Sequence, residues 1–313
     1  MVFLGCYFCG LEPMKFVLNI LILGLLATLV SCKSEGEKST GKNGGTGKTL
    51  VITAISDEKG SNQEARFAAL GTYLAKELEI PTKFRLSSTY EDSVTRFKNG
   101  EVHLVWYGGL SGVQARKAVP GARAIAQGDV DPQYKSYFIA NSSTGLTLSP
   151  DFPGEKIKDL TFSFGSRSST SGRLMPAYFI RENTNQMPAK FFSQPVQFST
   201  GHDATAKAVE SGSVQVGAMN YKTYDSMVKE GKLDPEKARI IWVTPEYADY
   251  NLTVHPALEE MFGEGFIDKL QKVLVDCTDK DVLAAFDRDD LIPARNEEFE
   301  GIEKVALELG LMR

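Results

Sequence analysis

Short apolar segments alternate with longer segments of helical periodicity along most of this chain. A β-branched run at residues 49–55 predicts the first strand, and the apolar spacing over residues 62–78 predicts the helix that follows it. Further strands are predicted at residues 84–86, 102–107, 122–126, 162–164, 214–218 and 239–243. Strands that alternate with helices form largely parallel sheets covered on both faces. We therefore predict an α/β fold.

The length of the chain favours two lobes. A chain of 313 residues can form two lobes of about 100–150 residues each. We assign residues 49–140 together with 250–313 to the first lobe, and residues 141–249 to the second. Because ligands bind at the strand ends of α/β sheets, we expect a ligand cleft between the lobes.

The N-terminal segment is predicted to direct export and anchoring. After Met14, residues 16–30 form an apolar run of 15 residues, whereas a membrane-spanning helix needs about 20. The run ends in the letters LVSC, which are similar to the cleavage site of bacterial lipoproteins. We predict that residues 1–31 are a signal peptide whose true start is Met14, and that Cys32 carries the lipid. An uncleaved anchor helix is the alternative.

Residues 32–48 are rich in Gly, Ser, Lys and Glu, which predicts a flexible tether between the lipid and the lobes. Residues 41–49 imitate a phosphate-binding P-loop. However, five residues separate the first Gly from the Gly-Lys-Thr where a P-loop has four, and a strand follows instead of a helix. We therefore do not predict nucleotide binding by this segment.

Charge and composition exclude other classes of function. The formal net charge of −5 argues against a surface that binds nucleic acid. The three His residues, with the Cys277 that remains after Cys32, show no metal-ligand spacing. We predict no metal and no cofactor, and an anionic ligand would have to be held by local donors.

The hydroxyl-rich run Ser168-Ser169-Thr170-Ser171-Gly172 lies between a strand-like and a helix-like segment. The first turn of a helix leaves backbone N–H groups unpaired and carries a partial positive charge. We therefore predict that Ser169, Thr170 and Ser171 bind a tetrahedral oxyanion. Helix capping is the simpler explanation, but one hydroxyl suffices for it.

Other polar residues follow strands or open helices and could reach the same cleft. His202 opens a helix after Gly201, and Tyr90 heads another. Tyr107 ends a predicted strand, and Asn220 follows one just before Lys222. We include Tyr90, Tyr107, His202 and Asn220 in the candidate site. Lys222 could add charge, although a solvated helix Lys is the simpler reading.

A hydrolase is the alternative reading of these residues. Ser169 or Ser171 could act as a nucleophile with His202 as the base, which would make the chain a surface serine hydrolase. No third group for such a triad is apparent, and no G-x-S-x-G motif is present. We therefore predict capture of a ligand and no enzyme activity.

These motifs resemble those of the periplasmic phosphonate- and phosphite-binding proteins of ABC importers, over about residues 49–260. The resemblance is carried by Val105-Trp106-Tyr107-Gly108 with Leu110-Ser111, by Phe164-Gly165 with Ser169-Thr170-Ser171-Gly172, and by Gly201-His202 with the helix at 206–209. It implies a two-lobed type II periplasmic binding protein that closes like a hinge on a ligand in the cleft. The oxyanion ligands it implies are Tyr107, Ser169, Thr170, Ser171 and His202, with Tyr90 at the rim.

The resemblance also bears on the ligand. Family members that take aminoalkyl phosphonates hold the ammonium with two acids. Here the first position reads Lys222, which would repel an ammonium, and the second falls near Asp249. We expect a small oxyanion of the phosphite, phosphate or phosphonate class, and selenate is the alternative. The implied protein is a monomeric lipoprotein of the periplasm or cell surface that serves an ABC permease and its ATPase. A binding module for a sensor kinase or chemoreceptor is a further alternative.

Overall fold

The computed structural model describes residues 47–58 and 63–312. The predicted signal peptide, the lipidated Cys32 and nearly all of the tether lie outside the described residues. All of the described residues belong to one compact unit.

Eleven strands are present in the described part of the chain. In chain order they are β1 (Leu50–Ala54), β2 (Thr82–Phe84), β3 (Leu104–Tyr107), β4 (Arg123–Gly128), β5 (Ser136–Asn141), β6 (Phe162–Phe164), β7 (Gln197–Phe198), β8 (Val216–Asn220), β9 (Ala238–Val243), β10 (Asn251–Val254) and β11 (Leu291–Pro293).

The α-helices of the same residues are α1 (Gln63–Leu78), α2 (Tyr90–Lys98), α3 (Gly109–Ala118), α4 (Met175–Thr184), α5 (Pro188–Phe191), α6 (His202–Glu210), α7 (Tyr221–Lys229), α8 (Ala257–Phe262), α9 (Phe266–Val275), α10 (Lys280–Ala284) and α11 (Glu300–Glu308). A π-helical turn, Thr170–Leu174, precedes α4. None of these helices is long and apolar enough to cross a membrane, a finding that covers the described residues.

Six strands form the first sheet in the order β11-β4-β10-β3-β1-β2. β1 lies parallel to β2 and β3, and β10 runs antiparallel to β3 and β4. β3 is buried at all of its positions, as expected for a strand that is covered on both faces. We call this sheet and its helices lobe 1.

The other five strands form the second sheet in the order β7-β6-β8-β5-β9. β6 lies parallel to β7 and β8, and β5 runs antiparallel to β8 and β9. We call this sheet and its helices lobe 2. The prediction of an α/β fold is confirmed. The chain passes between the sheets twice, at residues 129–135 and 244–250.

Some local features differ from the sequence analysis. Strand β5, which the boundary at residue 140 places mostly in the first lobe, lies in lobe 2 because its backbone pairs with β8 and β9. The chain turns between α8 and α9 at two glycines with positive φ, Gly263 at 107° and Gly265 at 82°. The short strand β11 is not predicted by the sequence analysis.

A buried ion pair lies where the chain passes between the lobes. Arg288 Nη2 is 2.5 Å from Asp131 Oδ1, and both side chains are almost fully buried. Asp131 belongs to the first passage, and its carbonyl accepts a hydrogen bond from the backbone N–H of Asp249 in the second at 3.1 Å. The two passages are therefore tied to each other and, through Arg288, to the C-terminal part of lobe 1.

Candidate functional site

Ser169, Thr170 and Ser171 are buried together at the start of the π-helical turn. Ser169 caps this turn, because its Oγ accepts a hydrogen bond from the backbone N–H of Gly172 at 2.9 Å. A Cβ on Gly172 would lie 3.0 Å from both His202 Cε1 and Ser169 Oγ. Glycine at position 172 therefore lets the turn approach His202 closely. We call Ser169, Thr170, Ser171 and His202 the cradle.

His202 is buried at the first position of α6. Its Nδ1 accepts a hydrogen bond from the backbone N–H of Asn220 at 3.1 Å. The proton of the neutral ring must therefore be on Nε2, which lies 3.5 Å from Ser169 Oγ. Burial lowers the pKa of His202 to about 4, so near neutral pH the ring is an uncharged donor that points into the cradle.

Tyr90 is buried at the first position of α2, and its hydroxyl has no hydrogen-bond partner among the described residues. Burial raises the pKa of Tyr90 well above its ordinary value, and the nearby Ser169 hydroxyl offsets part of that rise. Buried hydroxyls are normally paired. A phenol that lacks a partner beside the cradle is therefore a donor available to a ligand.

Thr170 reaches from lobe 2 to the first turn of α3 in lobe 1. Its Oγ1 accepts a hydrogen bond from the backbone N–H of Leu110 at 2.9 Å. The neighbouring backbone N–H of Gly109 donates to Asp249 Oδ1 at 2.8 Å. Two backbone N–H groups at the start of α3 therefore bind one hydroxyl and one carboxylate beside the cradle. The N–H groups in the first turn of a helix have no partner within the helix, and with its partial positive charge they favour oxygen acceptors.

Asp249 is a buried acid that the sequence analysis considers only as an ammonium ligand. Its Oδ2 is buried without a hydrogen-bond partner in the described part of the chain. Burial raises the pKa of Asp249 to about 7, against the lowering effect of the Gly109 amide and of the Thr170 and Ser171 hydroxyls. Its only sequence signal is an acid in the aromatic segment at residues 247–250.

Ser171 completes the hydroxyl row. Its carbonyl accepts a hydrogen bond from Ser136 Oγ at 2.7 Å, and its hydroxyl is among the groups that lower the pKa of Asp249. The structure therefore brings together Tyr90, Ser169, Thr170, Ser171 and His202, and it adds Asp249 to them.

The Tyr107 hydroxyl does not lie with the cradle residues. That hydroxyl donates to the carbonyl of Ser93 at 2.9 Å, and the ring lies edge-on to Phe97 inside lobe 1. Side chains alternate between the two faces of a strand, so the preceding Trp106 points the other way and stacks on Tyr250 at a ring distance of 5.3 Å. The ligand role predicted for Tyr107 is therefore corrected to a core role.

Asn220 supports its neighbours. Its Oδ1 accepts from the backbone N–H of Thr223 at 2.6 Å, which caps α7, and its Nδ2 donates to the Tyr250 hydroxyl at 3.1 Å. With its backbone N–H on His202 Nδ1, Asn220 fixes the orientation of two side chains.

A cavity of about 760 Å³ adjoins these residues. Trp106, Tyr134 and Tyr250 form an aromatic part of its lining, and Asp57, Glu58 and Asn220 form a polar part. Lys222 also lines the cavity, where its Nζ lies 3.4 Å from Asp287 Oδ2. The charge that Lys222 brings is therefore paired. The cradle residues themselves do not line this cavity.

Hydrogen bonds join the lobes on more than one side of the cradle. The carbonyl of Asp57 accepts from the backbone N–H of His202 at 2.9 Å. Thr223 Oγ1 donates to Glu58 Oε1 at 2.8 Å, and Ser168 Oγ donates to Glu91 Oε1 at 2.7 Å. The structure is therefore in a closed arrangement.

The described residues contain no group of three or more His, Cys, Asp or Glu side chains that could hold a metal ion. The donors at the cradle are hydroxyls, a neutral imidazole and backbone amides. Such a set suits an anion.

The chain is similar to known substrate-binding proteins of ABC transporters. The model of a family described as the periplasmic substrate-binding proteins of phosphonate ABC transporters matches residues 52–299. A probable phosphite-binding protein of an ABC transporter from Prochlorococcus marinus is 35% identical over 272 residues, which cover 85% of this chain and 91% of that protein.

Solved structures also match. The structure of a Prochlorococcus marinus protein in complex with methylphosphonate has a TM-score of 0.80 at 35% identity and covers 85% of this chain and 99% of its own. A binding component of an ABC phosphonate transporter from Pseudomonas aeruginosa has a TM-score of 0.71 at 20% identity, over 84% of this chain and 86% of its own. At 20% identity, the similarity to the Pseudomonas aeruginosa protein shows a shared fold and nothing more.

Proposed function

This chain belongs to the family of periplasmic substrate-binding proteins of phosphonate ABC transporters, and we propose that it captures phosphite or a small phosphonate at the cradle. It is the substrate-binding component of an ABC importer, and it works with a membrane permease and its ATPase. The ligand sits between the Tyr90 hydroxyl of lobe 1 and the cradle of lobe 2. The closed lobes are the form that the permease receives.

One observation carries the choice of ligand. The other polar side chains of the candidate site are uncharged donors, whereas Asp249 Oδ2 is an oxygen that can accept a proton. It is buried and has no hydrogen-bond partner within residues 47–58 and 63–312. Phosphite and alkylphosphonates exchange a proton near neutral pH, so a monoprotonated ligand can donate to this oxygen. Selenate is fully ionised there and brings no proton, so it binds favourably only where Asp249, whose pKa burial raises to about 7, holds the proton itself. Above that pH, selenate would leave a buried carboxylate facing an anion. Discrimination of this kind is strong when a buried polar group is left unpaired.

His202 acts as a donor in this proposal. Because the Asn220 amide already occupies Nδ1, the Nε2 atom carries the proton and cannot accept one from Ser169. The hydrolase alternative needs an accepting Nε2. This geometry therefore favours binding of the ligand over attack on it.

Calorimetry with the purified mature protein tests the function. At about pH 8, where Asp249 is ionised, we expect binding of phosphite and methylphosphonate at micromolar or tighter affinity, with phosphate weaker and selenate at least about tenfold weaker, since one lost charge-assisted hydrogen bond accounts for that factor. No heat with either phosphite or methylphosphonate would reject the function, and tighter binding of selenate would reject the role of Asp249.

The lipid anchor at Cys32 is a separate proposal, supported by the LVSC motif. Metabolic labelling with a fatty-acid analogue should modify the wild-type protein and leave a Cys32→Ser variant unlabelled. Equal labelling of both would contradict the anchor without affecting the ligand proposal.

A further inference from the structure

We propose that Arg167 and Arg173 form an encounter site at the rim of the cleft, which draws the anionic ligand in before it reaches the cradle. We call these two residues the rim pair. The inference rests on the proposed function, since it concerns how the same anion arrives.

Both guanidinium groups stack on one aromatic ring. Arg167 Cζ lies 3.8 Å from the centre of the Phe198 ring, and Arg173 Cζ lies 5.4 Å from it. Arg173 Cζ also lies 4.5 Å from the Phe164 ring centre. Such stacking holds a cation in place without neutralising its charge.

No carboxylate compensates these charges. Neither arginine has an acidic group within 4.0 Å in the described ranges, and Arg173 Nη1 is buried without a hydrogen-bond partner. Burial lowers the pKa of Arg173 to about 10, and the charge of Arg167 adds to this effect. Two like charges held together without an acid are costly. An arriving anion would relieve that cost.

The rim pair lies on the segments that build the cradle. Arg167 is exposed and precedes Ser168, whose hydroxyl contacts Glu91 of lobe 1. Arg173 belongs to the π-helical turn that carries Thr170. Their shared ring, Phe198, lies in β7, just before the His202 segment. Arg167 is therefore adjacent along the chain to the residue at which lobe 2 contacts Glu91 of lobe 1.

The surroundings of the cradle explain why such a site is needed. The cradle donors are uncharged, whereas Asp57, Glu58, Glu91 and Asp249 all lie at the contact between the lobes. Each of the five cations that line the cavity in the described structure faces an acid; the pairs are Arg66–Glu58, Lys207–Glu210, Lys222–Asp287, Lys232–Glu230 and Arg288–Asp131. With a net charge of −5 on the whole chain, an approaching anion is repelled unless a local positive field offsets the repulsion.

Stopped-flow fluorescence can test this inference, with Trp106 in the cleft as the reporter. Association and dissociation rates of methylphosphonate would be measured for the wild type, for Arg167→Gln and for the double variant with Arg173→Gln. Lys269→Gln, an exposed charge removal on α9 of lobe 1, is the matched control. The ionic strength would range from about 10 mM to about 300 mM, which shortens the screening length severalfold.

We expect the association rate of the double variant to fall about three- to tenfold at low ionic strength, the scale of electrostatic steering by a few charges. The dissociation rate should change less than about twofold, and Lys269→Gln should match the wild type. Added salt should slow wild-type association. It should leave the double variant unaffected or faster, because the remaining acids then repel the ligand less.

Equal association rates in wild type and variants at low salt would overturn the inference. A decrease in the association rate that persists unchanged at high salt would also overturn it. A change that appears in the dissociation rate instead would have the same consequence. Arg167→Gln alone, at an exposed position, decides the question if the double variant fails to fold. Absence of any ligand binding by the wild type would instead reject the proposed function.

Discussion

His202 Nδ1 accepts a hydrogen bond from the backbone N–H of Asn220 at 3.1 Å. A backbone amide cannot change its role from donor to acceptor, so it fixes one tautomer of the ring. The lowered pKa of about 4 keeps that tautomer uncharged across the neutral range. A neutral donor of fixed orientation can bind the ligand without a change in its own protonation.

The protonation of His202 can be observed directly. We expect nitrogen-15 NMR of the free protein to show neutral His202 with the proton on Nε2 from about pH 5.5 to pH 8, a range above its lowered pKa. His255, which is less buried, serves as an internal comparison. Formation of imidazolium at His202 above pH 6 would contradict the assigned donor role.

His202→Ala should weaken binding of methylphosphonate by roughly 10- to 150-fold, because a hydrogen bond to a charged group contributes about 1.5–3 kcal/mol. Calorimetry would measure the affinity, and circular dichroism would check the fold. An unchanged affinity in a folded variant would remove His202 from the site.

Tyr90→Phe and Tyr107→Phe make a matched pair. The Tyr90 hydroxyl has no partner in the described structure, so its removal should weaken ligand binding at least about fivefold and leave the free energy of unfolding nearly unchanged. The Tyr107 hydroxyl donates to Ser93, so its loss should cost about 1 kcal/mol of stability and change affinity less than twofold. The reverse pattern would restore Tyr107 to the site.

Thr170→Val keeps the shape of the side chain but removes the oxygen that accepts from Leu110 N. We expect at least about tenfold weaker binding of the ligand, since a backbone donor is left unpaired in the closed form. Small-angle scattering should also show a larger radius of gyration for the ligand-free variant. Thr72→Val, on the outer part of α1, should behave as the wild type in both measurements.

Asp249 makes the stability of the ligand-free protein depend on pH. Its folded pKa of about 7 lies above the ordinary value of 3.8, so between these values the folded state binds more protons than the unfolded state. The stabilisation that protonated Asp249 gives the folded state is therefore fully present below about pH 4 and is lost as the pH rises through 7. Asp249→Asn should remove that loss and raise the free energy of unfolding at pH 8 by about 1–4 kcal/mol.

Chemical denaturation at pH 5 and pH 8 would measure this effect, with the exposed Asp151→Asn as the control. The prediction fails if the wild type has a larger free energy of unfolding at pH 8 than at pH 5 and the Asp249→Asn variant shows the same change. Asp249 would then not titrate in this range.

Local patterns predicted which residues of the candidate site lie together. Hydroxyls at a helix start and a histidine after glycine are short-range signals, and the structure brings Ser169, Thr170, Ser171 and His202 together. Tyr107 could not be placed in the same way, because β3 is buried on both faces and its sequence does not reveal which side chain faces the cleft. The sequence analysis did not predict that Asp249 lies beside Thr170 and Ser171, because its position depends on α3, about 140 residues away in sequence. The lobe assignment of β5 likewise depends on pairing with distant strands.

The tie between Asp131, Asp249 and Arg288 restricts how the protein can open. Because both chain passages are fastened at one point, sliding of one lobe along the other would break a buried ion pair, whereas a swing about that point leaves it intact. We expect the side-chain contacts Glu58–Thr223 and Glu91–Ser168 to separate first. We expect the ion pair between Asp131 and Arg288 to keep its geometry while these contacts break and re-form.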